Sequence, residues 1–273
     1  MKEEVIHIDV RQAIRQKMPR YAKFIPGFLY RRIARLIRQD DLNRILDENR
    51  GKTGHDFAEG ALRTLGIRLK VVGMENLPAS GRYVFVSNHP LGGLDGIALI
   101  SLLGKHYEGK VRCLVNDVLM AVKPLENVFL PVNKYGGQSR EAMRRIDEAY
   151  AGDGQIITFP AGLCSRRNDQ GEVRDLDWKK SFVVKSVETQ RDIVPIYFNG
   201  LNSSFFYKFA RFRKRLGIKF NIELILLPGE LVKGRGTTFT INIGKPIPYS
   251  VFDKSRTAQE WADYVKQTVY GFA

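Results

Sequence analysis

Residues 83–103 read YVFVSNHPLGGLDGIALISLL, and the fold is decided there. Tyr83 to Val86 is a short apolar, β-rich run. Pro90, Gly92 and Gly93 then break the pattern, and Leu94 to Leu103 takes up an apolar spacing that suits a helix. A strand that passes into a helix through a tight turn is the repeating unit of a layered α/β fold, and such turns are where reactive side chains are displayed. The same reading extends outward. Further strands are expected at Ile67–Val72, Val111–Val115, Ile156–Phe159, Ile193–Phe198, Ile222–Leu227 and Phe239–Ile243. Helices are expected at Asp41–Asn49, Phe57–Leu65, Ser139–Tyr150, Trp178–Glu188 and Thr257–Tyr270. The alternation predicts an α/β fold with a central mixed β-sheet covered by helices. Its boundary falls near residue 65: residues 1–65 read as a helical, membrane-docking extension and residues 66–273 as the α/β domain.

The extension differs in composition. Between Arg11 and Arg38 there are nine basic residues and no acidic one. After Pro26 and Gly27, the residues Leu29, Ile33, Leu36 and Ile37 recur at helical spacing, while Arg31, Arg32, Arg35 and Arg38 take the opposite arc. A basic amphipathic helix of this kind lies in a membrane interface, or packs its stripe on its own domain. A second basic stretch, Ser203 to Phe220, interleaves Phe205, Phe206, Tyr207, Phe209 and Phe212 with lysines and arginines. It suits a membrane surface, an acidic carrier protein, a helix with its aromatics in the core, or single-stranded nucleic acid. The whole chain carries 44 Lys and Arg against 29 Asp and Glu, a net charge of +15, so an anionic partner is expected. No window of 18 or more uncharged apolar residues is present and the N-terminus has no secretory pattern. Two cysteines without CxxC spacing fit a reducing compartment, so a cytoplasmic protein is expected.

Within the turn, His89 is the side chain that is substantially neutral near pH 7 and able to take a proton from a hydroxyl. Asp95 follows at the start of the helix. A carboxylate beside the imidazole fixes its tautomer and stabilises the imidazolium as it forms. Read blandly, His89 is a turn residue and Asp95 a favourable charge at a helix N-terminus. The four histidines are scattered, and there is no HExxH, GxSxG or GxGxxG, which argues against a zinc hydrolase, a serine hydrolase and a dinucleotide enzyme. No metal and no cofactor is expected.

Asn88-His89-Pro90-Leu91-Gly92-Gly93-Leu94-Asp95 resembles the signature of the lysophosphatidate-type glycerolipid acyltransferase family. The resemblance implies that His89 is the catalytic base and Asp95 its partner, with Asn88 beside them in the site. Five residues separate the pair, one more than in the commonest family form. The block Phe159-Pro160-Ala161-Gly162-Leu163-Cys164-Ser165-Arg166 resembles the family's acceptor-holding turn, with Ala161 in place of the usual glutamate and Arg166 one place late. It implies substrate contacts at Phe159, Pro160, Gly162, Ser165 and Arg166, a guanidinium being suited to an anionic group. A third block, Val128 to Lys134, lacks the family's arginine and offers Lys134 as a point charge. The fourth, Ile193-Val194-Pro195-Ile196, matches a Val-Pro strand. The resemblance spans roughly Leu77 to Gly200, and its spellings are closest to the haemolysin-like and ornithine-lipid acyltransferase branch. It implies a lysolipid O-acyltransferase for which acyl-ACP or acyl-CoA is the donor. The acceptor is a lyso-aminolipid of the ornithine or glycine type, with lysophosphatidate as the alternative. Such a protein sits peripherally on the inner face of the cell membrane, against its anionic surface. A non-catalytic basic protein binding membrane or nucleic acid is the competing reading from another class, and a nucleic-acid partner is not expected.

Overall fold

The computed structural model describes residues 7–17, 19–132, 139–218 and 220–273. The strands are β1 (Arg68–Val72), β2 (Tyr83–Ser87), β3 (Val111–Asn116), β4 (Phe129–Val132), β5 (Gln155–Thr158), β6 (Arg166–Arg167), β7 (Val173–Arg174), β8 (Asp192–Asn199) and β9 (Thr238–Ile243). The helices are α1 (Val10–Lys17), α2 (Pro19–Ala22), α3 (Gly27–Leu36), α4 (Gln39–Glu48), α5 (Gly54–Thr64), α6 (Leu94–His106), α7 (Arg140–Ala151), α8 (Ser181–Thr189), α9 (Ser204–Arg215), α10 (Leu227–Lys233) and α11 (Ala258–Tyr270).

Seven strands form one mixed sheet in the order β1-β9-β8-β2-β5-β3-β4. All neighbours run parallel except β8 and β9. β2 is central, paired on both sides, and its buried residues alternate between two cores as the pleat requires. Phe85 faces the cluster formed with Phe57, Ala61, Leu99 and Leu103 of α5 and α6. Val84 and Val86 face the other, with Phe182 and Val183 of α8 and Trp261, Val265 and Val269 of α11. A strand buried on both faces reads as a continuous apolar run, and β2 does. Phe57, Ala58, Ala61, Leu62 and Leu65 sit in the same core as the sheet, so the helical region and the α/β layers share packing on this side.

One feature sets the frame of the site, and a second braces the opposite end of the sheet. β2 delivers the turn after Ser87 at the carboxyl end of parallel strands, where open α/β sheets bind ligands. Arg191, fully buried, donates to the carbonyls of Ala149, Tyr150, Gly152 and Gly154 and so closes the C-terminal end of α7.

The strand expected at Ile222–Leu227 is a correction. Residues Ile222–Leu226 form a 3₁₀ turn that runs directly into α10. Pro228 lies in the first turn of α10, where its fixed φ favours a helix start, and Glu223 turns inward to two arginines while Ile222 and Ile225 face out.

Candidate active site

Asn88 anchors the turn to the sheet. Its Nδ2 donates to Phe198 O of β8 and its Oδ1 accepts from Phe198 N, so the amide is buried and engaged with backbone on both sides. His89 follows with its Nδ1 3.1 Å from Asp95 Oδ2. Asp95 sits in the first turn of α6, fully buried, and accepts from the backbone N–H groups of Leu91 and Gly92 at Oδ2 and of Gly96 at Oδ1. These donors fix the carboxylate before it meets the imidazole. Gly92 holds φ at 80°, a left-handed conformation that lets the chain double back across the five intervening residues. A Cβ at Gly92 would lie 2.7 Å from Leu227 Cδ1, so α10 seals the turn from the far side.

The carboxylate at Nδ1 assigns the proton to that nitrogen and leaves Nε2 as the acceptor. The ring packs on Phe159, centroids 4.2 Å apart, with 15% of the side chain exposed. Burial works against the imidazolium, but Asp95, and beyond it Asp175, outweigh it, so the His89 pKa lies above the ordinary histidine value. Asp95 is held below the ordinary carboxylate value: burial opposes ionisation, and His89 with the backbone donors overcomes it.

The turn after β5 lies against the first. Ser165 N donates to His89 O at 2.7 Å, and Ser165 Oγ donates to Asp175. Phe159 is half-buried beside the imidazole, Pro160 is buried, and Gly162, with φ at 64°, is exposed. Arg166 is turned inward. It donates to the carbonyls of Cys164 and Ser165 and to Oε1 of Glu223, a fully buried carboxylate whose Oε2 lies 2.9 Å from Arg213 Nε. Its charge is still felt at His89, where it opposes protonation. The residues expected to meet substrate therefore divide: Phe159, Gly162 and Arg166 keep some exposure, whereas Asn88, Pro160 and Ser165 are buried in the frame. Lys134 lies outside the described residues.

Beside this turn, a cleft of about 930 Å³ opens between the β6–β7 hairpin, α9 and α11. Arg167, Arg174, Arg211, Lys214 and Lys266 contribute to its walls. Among the described residues, no group of three or more His, Cys, Asp or Glu side chains is placed to hold a metal ion.

Two buried carboxylates at the site, Asp175 and Glu223, escaped sequence reasoning. Asp175 reaches His89 across 86 positions and Glu223 reaches Arg166 across 57, and neither stands in a local pattern that marks it.

Comparison with known proteins gives a consistent result. Residues 12–273 match a family model described as acyltransferase. A lyso-glycine lipid O-acyltransferase from Bacteroides thetaiotaomicron is 48% identical over 96% of this chain and 96% of its own length. One of the same name from Phocaeicola vulgatus is 48% identical over 98% of this chain and 96% of its own length. Among solved structures, the 1-acyl-sn-glycerophosphate acyltransferase PlsC from Thermotoga maritima is similar in fold, with a TM-score of 0.50 at 17% identity, over 96% of this chain and 97% of that one.

Proposed function

Because the chain belongs to the acyltransferase family, we propose that it moves a fatty acyl group from an acyl thioester to the hydroxyl of a lyso-glycine lipid, with His89 as general base. The observation that supports the mechanism is the His89–Asp95 pair at the carboxyl end of β2, which leaves Nε2 without that partner and able to accept a proton. The acceptor rests on two full-length relatives at 48% identity that bear that name. A lysolipid O-acyltransferase needs a hydroxyl acceptor and an activated acyl donor, and the donor chemistry is a thioester of coenzyme A or of acyl carrier protein.

In the proposed reaction, Nε2 of His89 takes the proton as the acceptor oxygen attacks the thioester carbonyl. The tetrahedral intermediate collapses to the ester and expels the thiolate. The imidazolium returns its proton to that sulfur, so the histidine ends neutral, as it began. Asp95 keeps Nδ1 protonated and offsets the positive charge during the cycle. Phe159 packs on the imidazole, and Gly162 lies exposed in the adjoining turn. Arg166, Arg167 and Arg174 supply positive charge toward the carboxylate of the acceptor or the phosphates of the donor.

We place this enzyme on a membrane surface. Among the described residues, no helix is long and apolar enough to cross a membrane. The amphipathic stripe of α3 is divided: Ile33 and Ile37 are half-buried against the protein, whereas Leu29 and Leu36, with the neighbouring Phe28 and Phe24, are exposed, Phe24 by 76%. Ile222 and Ile225, ahead of α10, are exposed as well. Leu36 O approaches Gly229 of α10, and Leu227 of that helix packs on Gly92, so α3 is linked through α10 to the catalytic turn. That arrangement supports docking at the inner, cytoplasmic face, with apolar side chains in the interface and the excess positive charge on anionic headgroups.

The test is transfer of labelled palmitate from its coenzyme A and carrier-protein thioesters to lyso-glycine lipid, lyso-ornithine lipid and lysophosphatidate in mixed vesicles. Two-chain glycine lipid as the dominant product supports the reading. Dominant phosphatidate overturns the acceptor, and unimpaired transfer by His89→Ala overturns the base.

A further inference from the structure

Asp175 is a buried carboxylate that the proposed chemistry does not use. It stands at a junction. Its Oδ1 accepts from the backbone N–H of His89 at 3.1 Å and from Ser165 Oγ, and its Oδ2 accepts from Trp178 Nε1 at 2.9 Å. Its own N–H donates to Tyr270 Oη, and its carbonyl accepts from Lys266 Nζ, both on α11. Five parts of the chain meet there: the turn after β2, the turn after β5, the strand pair β6 and β7, the segment leading to α8, and α11. The turn that carries His89 is also held by Asn88 on β8, by the His89 carbonyl on Ser165, by Asn202 Nδ2 donating to the Pro90 carbonyl, and by Asp95 beneath it.

We propose that Asp175 is a second positioning carboxylate of the active site, fixing the backbone of His89 and the Ser165 turn so that Nε2 is aimed at the acceptor hydroxyl. The inference rests on the reading of His89 as base. The backbone N–H of a catalytic residue, if left without an acceptor, tilts the peptide plane and swings the ring with it, and a misplacement near 1 Å lowers a rate by about a hundredfold. A carboxylate is the group that serves all three donors at once. An asparagine in its place presents one oxygen and one NH₂, so either Trp178 or the His89–Ser165 pair meets a donor instead of an acceptor. Asp175 also adds negative charge near the imidazole, alongside Asp95 and against Arg166.

The experiment compares Asp175→Asn, Trp178→Phe and His89→Ala in the full-length protein, with palmitoyl thioester and lyso-glycine lipid in vesicles. Asp175→Asn should keep a cooperative melt, lose about tenfold to a hundredfold in kcat with acceptor KM within about twofold, and move the rising limb of its pH profile to lower pH. A role confined to folding would lower the melting temperature and leave kcat per folded molecule and the pH limb as in the parent. Trp178→Phe keeps the ring and removes one donor, so a smaller kcat loss is expected. Native kcat and pH limb in folded Asp175→Asn, or in Trp178→Phe if the first variant does not fold, overturn the proposal. Transfer that survives His89→Ala overturns the assignment of the base instead. The two failures are thereby distinguished.

Discussion

In the proposed reaction a single imidazole carries the chemistry, and its environment sets when it works. As the proposed general base His89 would act in its neutral form, and its pKa is raised by Asp95 and Asp175 against the effect of burial. Deprotonation is therefore delayed to higher pH. The rate should rise with pH through an inflection above about 6.5, the ordinary histidine value. Asp95→Asn removes one of the charges that hold the proton on the ring, so its inflection should move to lower pH while kcat falls by about 10² to 10⁴. Rate profiles between pH 5 and 9 on the two proteins read both effects, and an unchanged inflection would argue that Asp95 does not touch the titrating group. The pair was legible in the sequence because strand, turn and helix are contiguous and both side chains lie within seven residues. Asp175 and Glu223 were not, because their partners lie 86 and 57 positions away and become neighbours when the sheet is assembled. Asn88 was expected at substrate, yet its amide meets a backbone peptide of β8, a contact that no local pattern encodes.

At the scale of elements, the turn after β2 depends on α10. Gly92→Ala forces a side chain onto φ of 80° and places its Cβ 2.7 Å from Leu227. Destabilisation of about 1–3 kcal/mol is expected, with a larger fractional loss of transfer than of folded protein. Thermal melts beside activity per folded molecule would show it; an unshifted melt with full activity would mean that the turn has room to relax. Periodicity recovered most helices and strands within a few residues, since amphipathic spacing and β-rich runs report burial directly. It failed at Ile222–Leu227. There the apolar residues belong to two surfaces: Leu226 packs inward, Ile222 and Ile225 stay exposed, and the turn is pinned by an ion pair that periodicity does not see. The helix α3 shows the reverse case, helical as expected but with Phe28 and Leu29 left exposed. Replacing both with serine should weaken binding to anionic vesicles by tenfold or more, since each apolar side chain withdrawn from an interface is worth roughly 1.5–3 kcal/mol when fully buried. Flotation assays measure this, and unchanged binding would place the contact elsewhere.

Over the whole molecule, the proposed docking draws on charge and exposed apolar surface together. A net charge of +15 is a property of sequence alone, and it names no partner. The proposed membrane docking draws on exposed apolar residues of α3 that stand among Arg31, Arg32 and Arg35, and on those of α9 among Lys208, Arg211 and Arg215. A protein held by charge alone would leave the membrane as salt rises, whereas one held by apolar insertion alone would be indifferent to it. With both contributions, binding should increase steeply with the fraction of anionic lipid at low salt. It should fall between about 0.05 and 0.5 M NaCl as the Debye length shrinks, and level off at a residual set by the apolar contacts. Phe28→Ser with Leu29→Ser should abolish that residual while leaving the salt-sensitive part in place. Transfer to a lysolipid embedded in vesicles should follow the bound fraction, and transfer to the same acceptor in neutral detergent micelles should change far less with salt. If salt depresses both assays equally, the charge acts on the donor or the active site and not on the surface where the acceptor resides.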